Sequence, residues 1–430
     1  MEIWPLAVLI IAFLFFVMLG LPVFVGMGLA SVVYCLVFWS QTSLITIATE
    51  MVEFLNNFSF LAIPFFFLAG DLMNAGGITK RLVAFSIALL GHVRGGLSHV
   101  NILASMIFSG VSGSAVADTS ALGSVLIPAM KQEGYPGAYA AAVTAVSSTI
   151  GPVIPPSIPL IVYGLLTEQS IGKLFLAGAI PGGIMGLYLI VASGIVSKRR
   201  GYPASPRASF GEISRSALDA AAALVMPLII VVGIVSGFVT PTEAGALAVV
   251  YALFIGLFVY RELKWRDLLR HFSKSMIASA YIMAIIASAG IFSYLVAELR
   301  AGEILARFFM GLTSSKWVML ILLNLFFLIW GCILEPMTAL VVVVPVLMPL
   351  IKALGIDPIH FGVLIVLNLM IALVTPPVGV VLYLATSLAN VNLWSVIKET
   401  VPFLAALILA LICVTFIPEL SLWLPGVLGN

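Results

Sequence analysis

Charge is the scarcest ingredient of this chain. Asp, Glu, Lys and Arg make up 9% of its 430 residues, against about 25% in a soluble domain. So few charges cannot cover a water-facing surface of this size. The net charge is only +2, which leaves no electrostatic footprint for nucleic acid. Cysteine is rare as well. Cys35, Cys332 and Cys413 stand far apart in apolar surroundings and read as small buried hydrophobes, not as a disulfide or metal site. Polar stretches beyond about 20 residues are missing, too short for a soluble domain. Any soluble ligand-capturing module is expected on another chain. No ladder of alternating segments suggests a barrel.

What remains is apolar: 62% of the residues are hydrophobic. Runs long enough to cross about 30 Å of hydrocarbon recur throughout. The expected fold is an all-α integral membrane protein with about 10–12 transmembrane segments. The first apolar run, from Ile3, has no basic flank and reads as a retained span, not a signal peptide.

Basic residues orient the chain. Half of the 20 Lys and Arg lie between Lys198 and Lys274, and such clusters mark the cytoplasmic side. The segment Arg261–Lys274 alternates bases with Leu263, Trp265, Leu268, Leu269 and Phe272, so it is expected along the inner membrane surface. Residues 1–57 supply N-terminal spans, near Ile3–Leu19 and Pro22–Trp39. Residues 58–197 and 275–417 form two halves, separated by connecting spans and an arm at 198–274, with a tail at 418–430. The first half ends at the cytoplasm and the second begins there. The acidic leader carrying Glu50 and Glu53 places the start of the first half outside. The halves are therefore expected to be inverted-topology repeats.

Proline pairs mark both halves. Pro155 and Pro156 break one apolar run; Pro376 and Pro377 break another. Gly134 precedes the first pair and Gly355 the second by the same interval. A proline pair removes two backbone donors and exposes carbonyls. In a bilayer such groups survive only inside protein or beside a water-filled cavity, and paired interruptions of this kind point to a transporter's binding site. Broken helices are expected near residues 143–165 and 362–388. Upstream of each, small residues and one carboxylate interrupt another run, SGVSGSAVAD and GCILEPMT. These read as re-entrant hairpins near 105–128 and 322–350.

Together the tips and breaks offer hard oxygen donors suited to Na⁺. Ser112, Ser114 and Thr338 supply hydroxyls; the backbone near Gly151, Pro152, Thr375 and Pro376 supplies carbonyls. Asp118 and Glu335 are intramembrane carboxylates, which are functional by default. The competing role is structural, tying a hairpin tip to backbone N–H groups. Lys and Arg are absent from Asn101–Met130, Ala138–Gly172, Trp317–Ile351 and Ala353–Ile397. An organic anion would find no arginine clamp there. Bound cations, hydroxyls and helix dipoles would have to neutralise it. His92, His99, His271 and His360 lie near span ends and read as interfacial residues.

The motifs SGVSGSAVADTSALG, GPVIPPS, EPMTAL and TPPVG resemble the large membrane subunit of tripartite ATP-independent periplasmic (TRAP) transporters, across essentially the whole chain. The resemblance implies a sodium-coupled secondary importer of the bacterial inner membrane, not an enzyme, with Na⁺ as coupling ion and no cofactor. It implies two partners: a small four-helix membrane subunit, unfused here, and a periplasmic substrate-binding protein. It implies an elevator motion of a transport domain against a scaffold. Family substrates are mainly carboxylates, including C4-dicarboxylates and sialic acids. The chain resembles the sialic-acid branch, though no residue decides it. By position, the first ion site falls at Ser112, Gly113, Ser114 and the turn holding Ser148, Thr149, Gly151 and Pro152. Asp118 matches the hairpin aspartate. The second site falls at Gly331, Glu335, Thr338 and the turn holding Thr375, Pro376 and Gly379. Ser112, Ser157, Thr338 and Thr375 are expected to face the substrate.

Two other readings compete. A cation/proton antiporter of the same architecture would use Asp118 and Glu335 to exchange protons for Na⁺. An intramembrane serine protease would use Ser112 in Gly110-Val111-Ser112-Gly113, with a histidine base on a neighbouring span. That match is weak in a chain with 37 glycines.

Overall fold

The computed structural model describes residues 4–38, 44–313, 315–332, 334–377 and 379–429. Ile3 and Trp39 at the bounds of the N-terminal spans, Ile333 in the second tip, Val378 in the second break and Asn430 in the tail lie outside them. The described residues are helical, with no strand among them.

The N-terminal part comprises α1 (Trp4–Met18), α2 (Val23–Val37) and α3 (Leu44–Leu55). The first half then runs α4 (Ala62–Ala75), α5 (Ile78–Leu90), α6 (Gly96–Ser112), α7 (Ala115–Gln132), α8 (Gly137–Ser148), α9 (Ile158–Thr167) and α10 (Ile171–Arg200). Two connecting helices follow, α11 (Phe210–Val235) and α12 (Pro241–Phe254). The second half runs α13 (Leu268–Glu298), α14 (Ala301–Leu312), α15 (Lys316–Gly331), α16 (Pro336–Ala353), α17 (Pro358–Ala372), α18 (Val380–Ala389) and α19 (Leu393–Phe416), and α20 (Glu419–Leu428) closes the chain. The order of long, short, hairpin, half and half helices thus occurs twice.

Seven helices among the described residues are long and apolar enough to cross a membrane. The rest are shorter. α8 and α9, of 12 and 10 residues, rise about 18 and 15 Å, each near half the hydrocarbon thickness. Chemistry at the ends sets these lengths. Ser157 caps α9 by accepting from Leu160 N at 3.2 Å, and Ser170 caps α10. Ser209–Glu212 and Thr240–Glu243 close capping boxes on α11 and α12. α10 ends on Lys198, Arg199 and Arg200, which complement its dipole, and Gly201 terminates it at φ +67°.

Two expectations need correction. The segment Arg261–Lys274 is not a separate surface helix. Trp265–Asp267 is a single tight turn, and from Leu268 the chain already belongs to α13. Apolar side chains continuing past Lys274 carry that helix straight on. The terminal stretch is not a loose tail either: α20 packs on α10 and α17, with Ser421 and Pro425 buried.

The two halves interlock. α9 packs on α16 and α17 of the second half; α18 packs on α7 and α8 of the first. α19 lies against α8 and α10. Around them, α4 packs on α12 and α13, α13 on α2 and α3, and α5 on α11. Cross-half bonds pin the half-helices. Tyr163 Oη donates to Pro358 O at 2.5 Å, and Lys131 Nζ donates to Ala389 O at 3.1 Å, satisfying a terminal carbonyl of α18.

Candidate substrate and ion site

Both hairpin tips and both breaks contribute to one cavity of about 140 Å³. Gly113, Ser114 and Pro152 line it from the first half; Glu335, Met337 and Leu373 line it from the second. No residue lining it is basic.

The first tip turns at Gly113, whose φ of +59° favours a residue without Cβ. A side chain there would also press on Pro156 O, so tip and break touch through backbone. Ser114, in extended conformation, then caps α7. Gly70 of α4 approaches the tip, with its Cβ position 3.3 Å from Ser112 Cα. Small residues allow such close approach in a membrane bundle.

Asp118 is fully buried one turn into α7. Its Oδ1 accepts from Ser112 Oγ. Its Oδ2 is buried without a hydrogen-bond partner and lies against Gly151, where any side chain would collide with it. The tip of the first hairpin and the first break therefore meet at one orphaned carboxylate oxygen. Leaving a carboxylate oxygen buried and unpaired costs several kcal/mol unless a cation or proton joins it.

Other expected hydroxyls give their protons to backbone carbonyls and keep lone pairs on the oxygen. Ser148 Oγ donates to Thr144 O at 2.7 Å and Thr149 Oγ1 to Val146 O at 2.7 Å. Ser157 Oγ donates to Pro152 O, the carbonyl that the break was expected to leave open. Thr375 Oγ1 donates to Ile371 O at 2.8 Å.

The second half builds a different tip. Glu335 caps α16, accepting from Thr338 N at 3.0 Å and Thr338 Oγ1 at 3.3 Å. That is the structural task weighed above, and Glu335 also lines the cavity. Gly331 packs α15 against Leu369 and Ala372 of α17. Gly379 takes φ +44° and starts α18. The breaks differ in exposure: Pro152, Pro155 and Pro156 are buried, whereas Pro376 and Pro377 are exposed. Both proline pairs are joined by cis peptide bonds.

Sequence reading missed two polar networks beneath the tips. Asn101 Nδ2 donates to Thr144 Oγ1 at 2.7 Å, and Ser147 Oγ donates to Asn101 Oδ1 at 3.2 Å, joining α6 to α8. In the second half Asn368 Nδ2 donates to Asn324 Oδ1 at 2.8 Å, and Asn324 Nδ2 to Thr415 Oγ1 at 2.9 Å. Each fastens a hairpin arm to the broken helix of its own half. The signal was available, since lone asparagines in apolar runs must find partners.

Three histidines pair with groups outside the cavity: His99 with Gly95 O, His271 with Asp71 and His360 with Ser421. Ser112 engages Asp118 rather than an imidazole.

Comparison with known proteins extends the geometry. Among solved structures, an Alcanivorax borkumensis YdaH transporter aligns with a TM-score of 0.59 at 15% identity, covering 88% of each chain. The Neisseria gonorrhoeae efflux pump MtrF aligns with a TM-score of 0.60 at 14% identity, covering 88% of this chain and 85% of that one. At such identity these likenesses speak for the fold. In sequence, the chain is 39% identical over 406 residues to the sialic acid TRAP transporter large permease protein SiaM of Vibrio cholerae, covering 94% of this chain and 95% of that protein. It is 39% identical over 404 residues to the C4-dicarboxylate TRAP transporter large permease protein DctM of Pseudomonas aeruginosa, covering 94% of each. A family model described as "Tripartite ATP-independent periplasmic transporter, DctM component" matches residues 10–420. A multi-pass helical chain whose paired tips and breaks enclose one cavity, matched along nearly its whole length, thus belongs to the DctM component family of tripartite ATP-independent periplasmic transporters.

Proposed function

We propose that this chain is the large membrane subunit of a sodium-coupled importer of an organic acid. The acid is of the sialic acid or C4-dicarboxylate type, as the names of its relatives suggest. A periplasmic binding protein delivers it, a small membrane subunit completes the transporter, and the complex sits in the bacterial inner membrane.

One observation carries this reading: the orphaned Asp118 Oδ2 at Gly151, beside a cavity with no fixed base. A buried carboxylate oxygen calls for a cation or a proton. An acid in a cavity without lysine or arginine calls for the same cation. Loading Na⁺ at Asp118, Ser112 and the Gly151 turn would prepare the cavity for the anion, so binding of each favours the other. Glu335 and Thr338 would order the second tip around a second ion. The halves, stacked as inverted repeats, would move together as an elevator against the surrounding helices.

The test is uptake into proteoliposomes holding this chain, the small subunit and the binding protein. Labelled sialic acid or succinate should accumulate only with an inward Na⁺ gradient. Accumulation of either acid without Na⁺ would remove the coupling. Na⁺/H⁺ exchange with no acid movement would favour the antiporter.

A further inference from the structure

Beside the central cavity lies a second, larger space of about 320 Å³. The two share Phe67, Ser114 and Val116 in their walls. One wall of the larger space is the first hairpin, with Ser112, Ser114 and Ser120; the other is α4 and α13, with Asp71 and Lys274. Lys274 is the only base in that lining. It ends the base-rich stretch Lys198–Lys274, the kind that marks the cytoplasmic side.

The charges there have an unusual arrangement. Asp71 is mostly buried and holds two partners at once, His271 Nδ1 on one oxygen and Lys274 Nζ on the other, each at 2.6 Å. His271 is largely buried too, but the Lys274 side chain is 71% exposed. The ammonium can therefore leave Asp71 without stranding it, because His271 still donates to the carboxylate through an Nδ1 proton. Lysine is suited to such a shift, being a point charge on a flexible stem.

We infer that Lys274 is the release-side carboxylate receptor of this transporter, taking the substrate's anionic group from the hairpin hydroxyls while His271 keeps Asp71 paired. This rests on the organic-acid reading above. An acid leaving the central cavity passes from a space without fixed positive charge to one with a single mobile ammonium. Asp71 competes with the acid for it, so the acid is held only weakly and departs. Lys274 makes no contact with the central cavity, so it sets affinity on one face of the membrane only.

Exchange measured from both faces tests this. Right-side-out proteoliposomes contain this chain, its small subunit and, outside, the binding protein. Unlabelled sialic acid or succinate is graded inside while labelled acid is supplied outside. Lys274→Gln should raise the half-saturating internal concentration about fivefold, the worth of one exposed charge pair. It should leave the external value unchanged. Lys274→Arg should stay within about twofold of wild type, since the charge is kept. An unchanged internal value in Lys274→Gln overturns the inference, and so does an equal rise on both faces. No exchange by the wild type with either acid removes the organic-acid reading, and this inference with it.

Discussion

At the scale of single residues, the decisive pair is Asp118 and Gly151. Asp118→Ala should cut sodium-driven uptake about tenfold or more, because one charge-assisted contact to a buried cation is worth upwards of ~1.4 kcal/mol. Gly151→Ala should do similar damage for a steric reason, since the new methyl occupies the place of Oδ2. Uptake assays on both variants decide it, and wild-type rates in either would remove Asp118 from the ion site. Residue types were legible in the sequence: a lone acid after a Gly/Ser tip, and a glycine before a proline pair. What was not legible is where each hydroxyl proton goes. Ser148, Thr149, Ser157 and Thr375 each donate to a nearby carbonyl, which fixes the oxygen in place and leaves lone pairs on it. Such local back-bonding depends on rotamers that no spacing rule fixes. The shared wall of Asp71 and Lys274 was equally invisible, because α4 and α13 lie some 200 residues apart (|i−j| 203).

At the scale of elements, the half-helices depend on their caps. Ser157 both starts α9 and ties back the loop at Pro152. Ser157→Ala should cost about 1 kcal/mol, as N-cap losses do, read as a lowered midpoint of thermal unfolding in detergent. An unaltered midpoint would mean that packing of α9 on α16 and α17 alone defines its start. The breaks themselves were readable from proline, and the hairpins from small residues inside apolar runs. The segment after Arg261 misled because bases alternating with Leu263, Trp265 and Leu268 suit a surface helix as well as the first turns of a span. The closing stretch misled because Pro425 and two glycines look like a tail. Contact with α10 and α17 overrode that composition.

At the scale of the whole molecule, the packing of one half on the other was not readable from sequence. The structure packs α9 of the first half on α16 and α17, and α18 of the second on α7 and α8. Cross-links test the proposed motion of one unit against a frame. In a background without Cys35, Cys332 and Cys413, a pair at Gly137 and Val391 would join the halves, where the Cβ position of Gly137 lies 3.1 Å from Val391 Cγ1. Uptake should survive. A pair at Gly172 and Ile234, with the Cβ position of Gly172 3.4 Å from Ile234 Cγ2, would join α10 to α11. Uptake should stop until a reductant is added. Retained transport in the second variant would exclude relative motion of those helices.

Packing of one half on the other also governs biogenesis. While the ribosome is still making the second copy, α9 has left the translocon without α16 and α17 to receive it. Its Pro152 carbonyl is already paired with Ser157, but the face of α9 that packs on α16 and α17 has no partner until the later helices emerge. A nascent chain halted before Pro336 would thus expose an unfinished seam to membrane proteases, and the protein becomes durable only after its last third has been inserted.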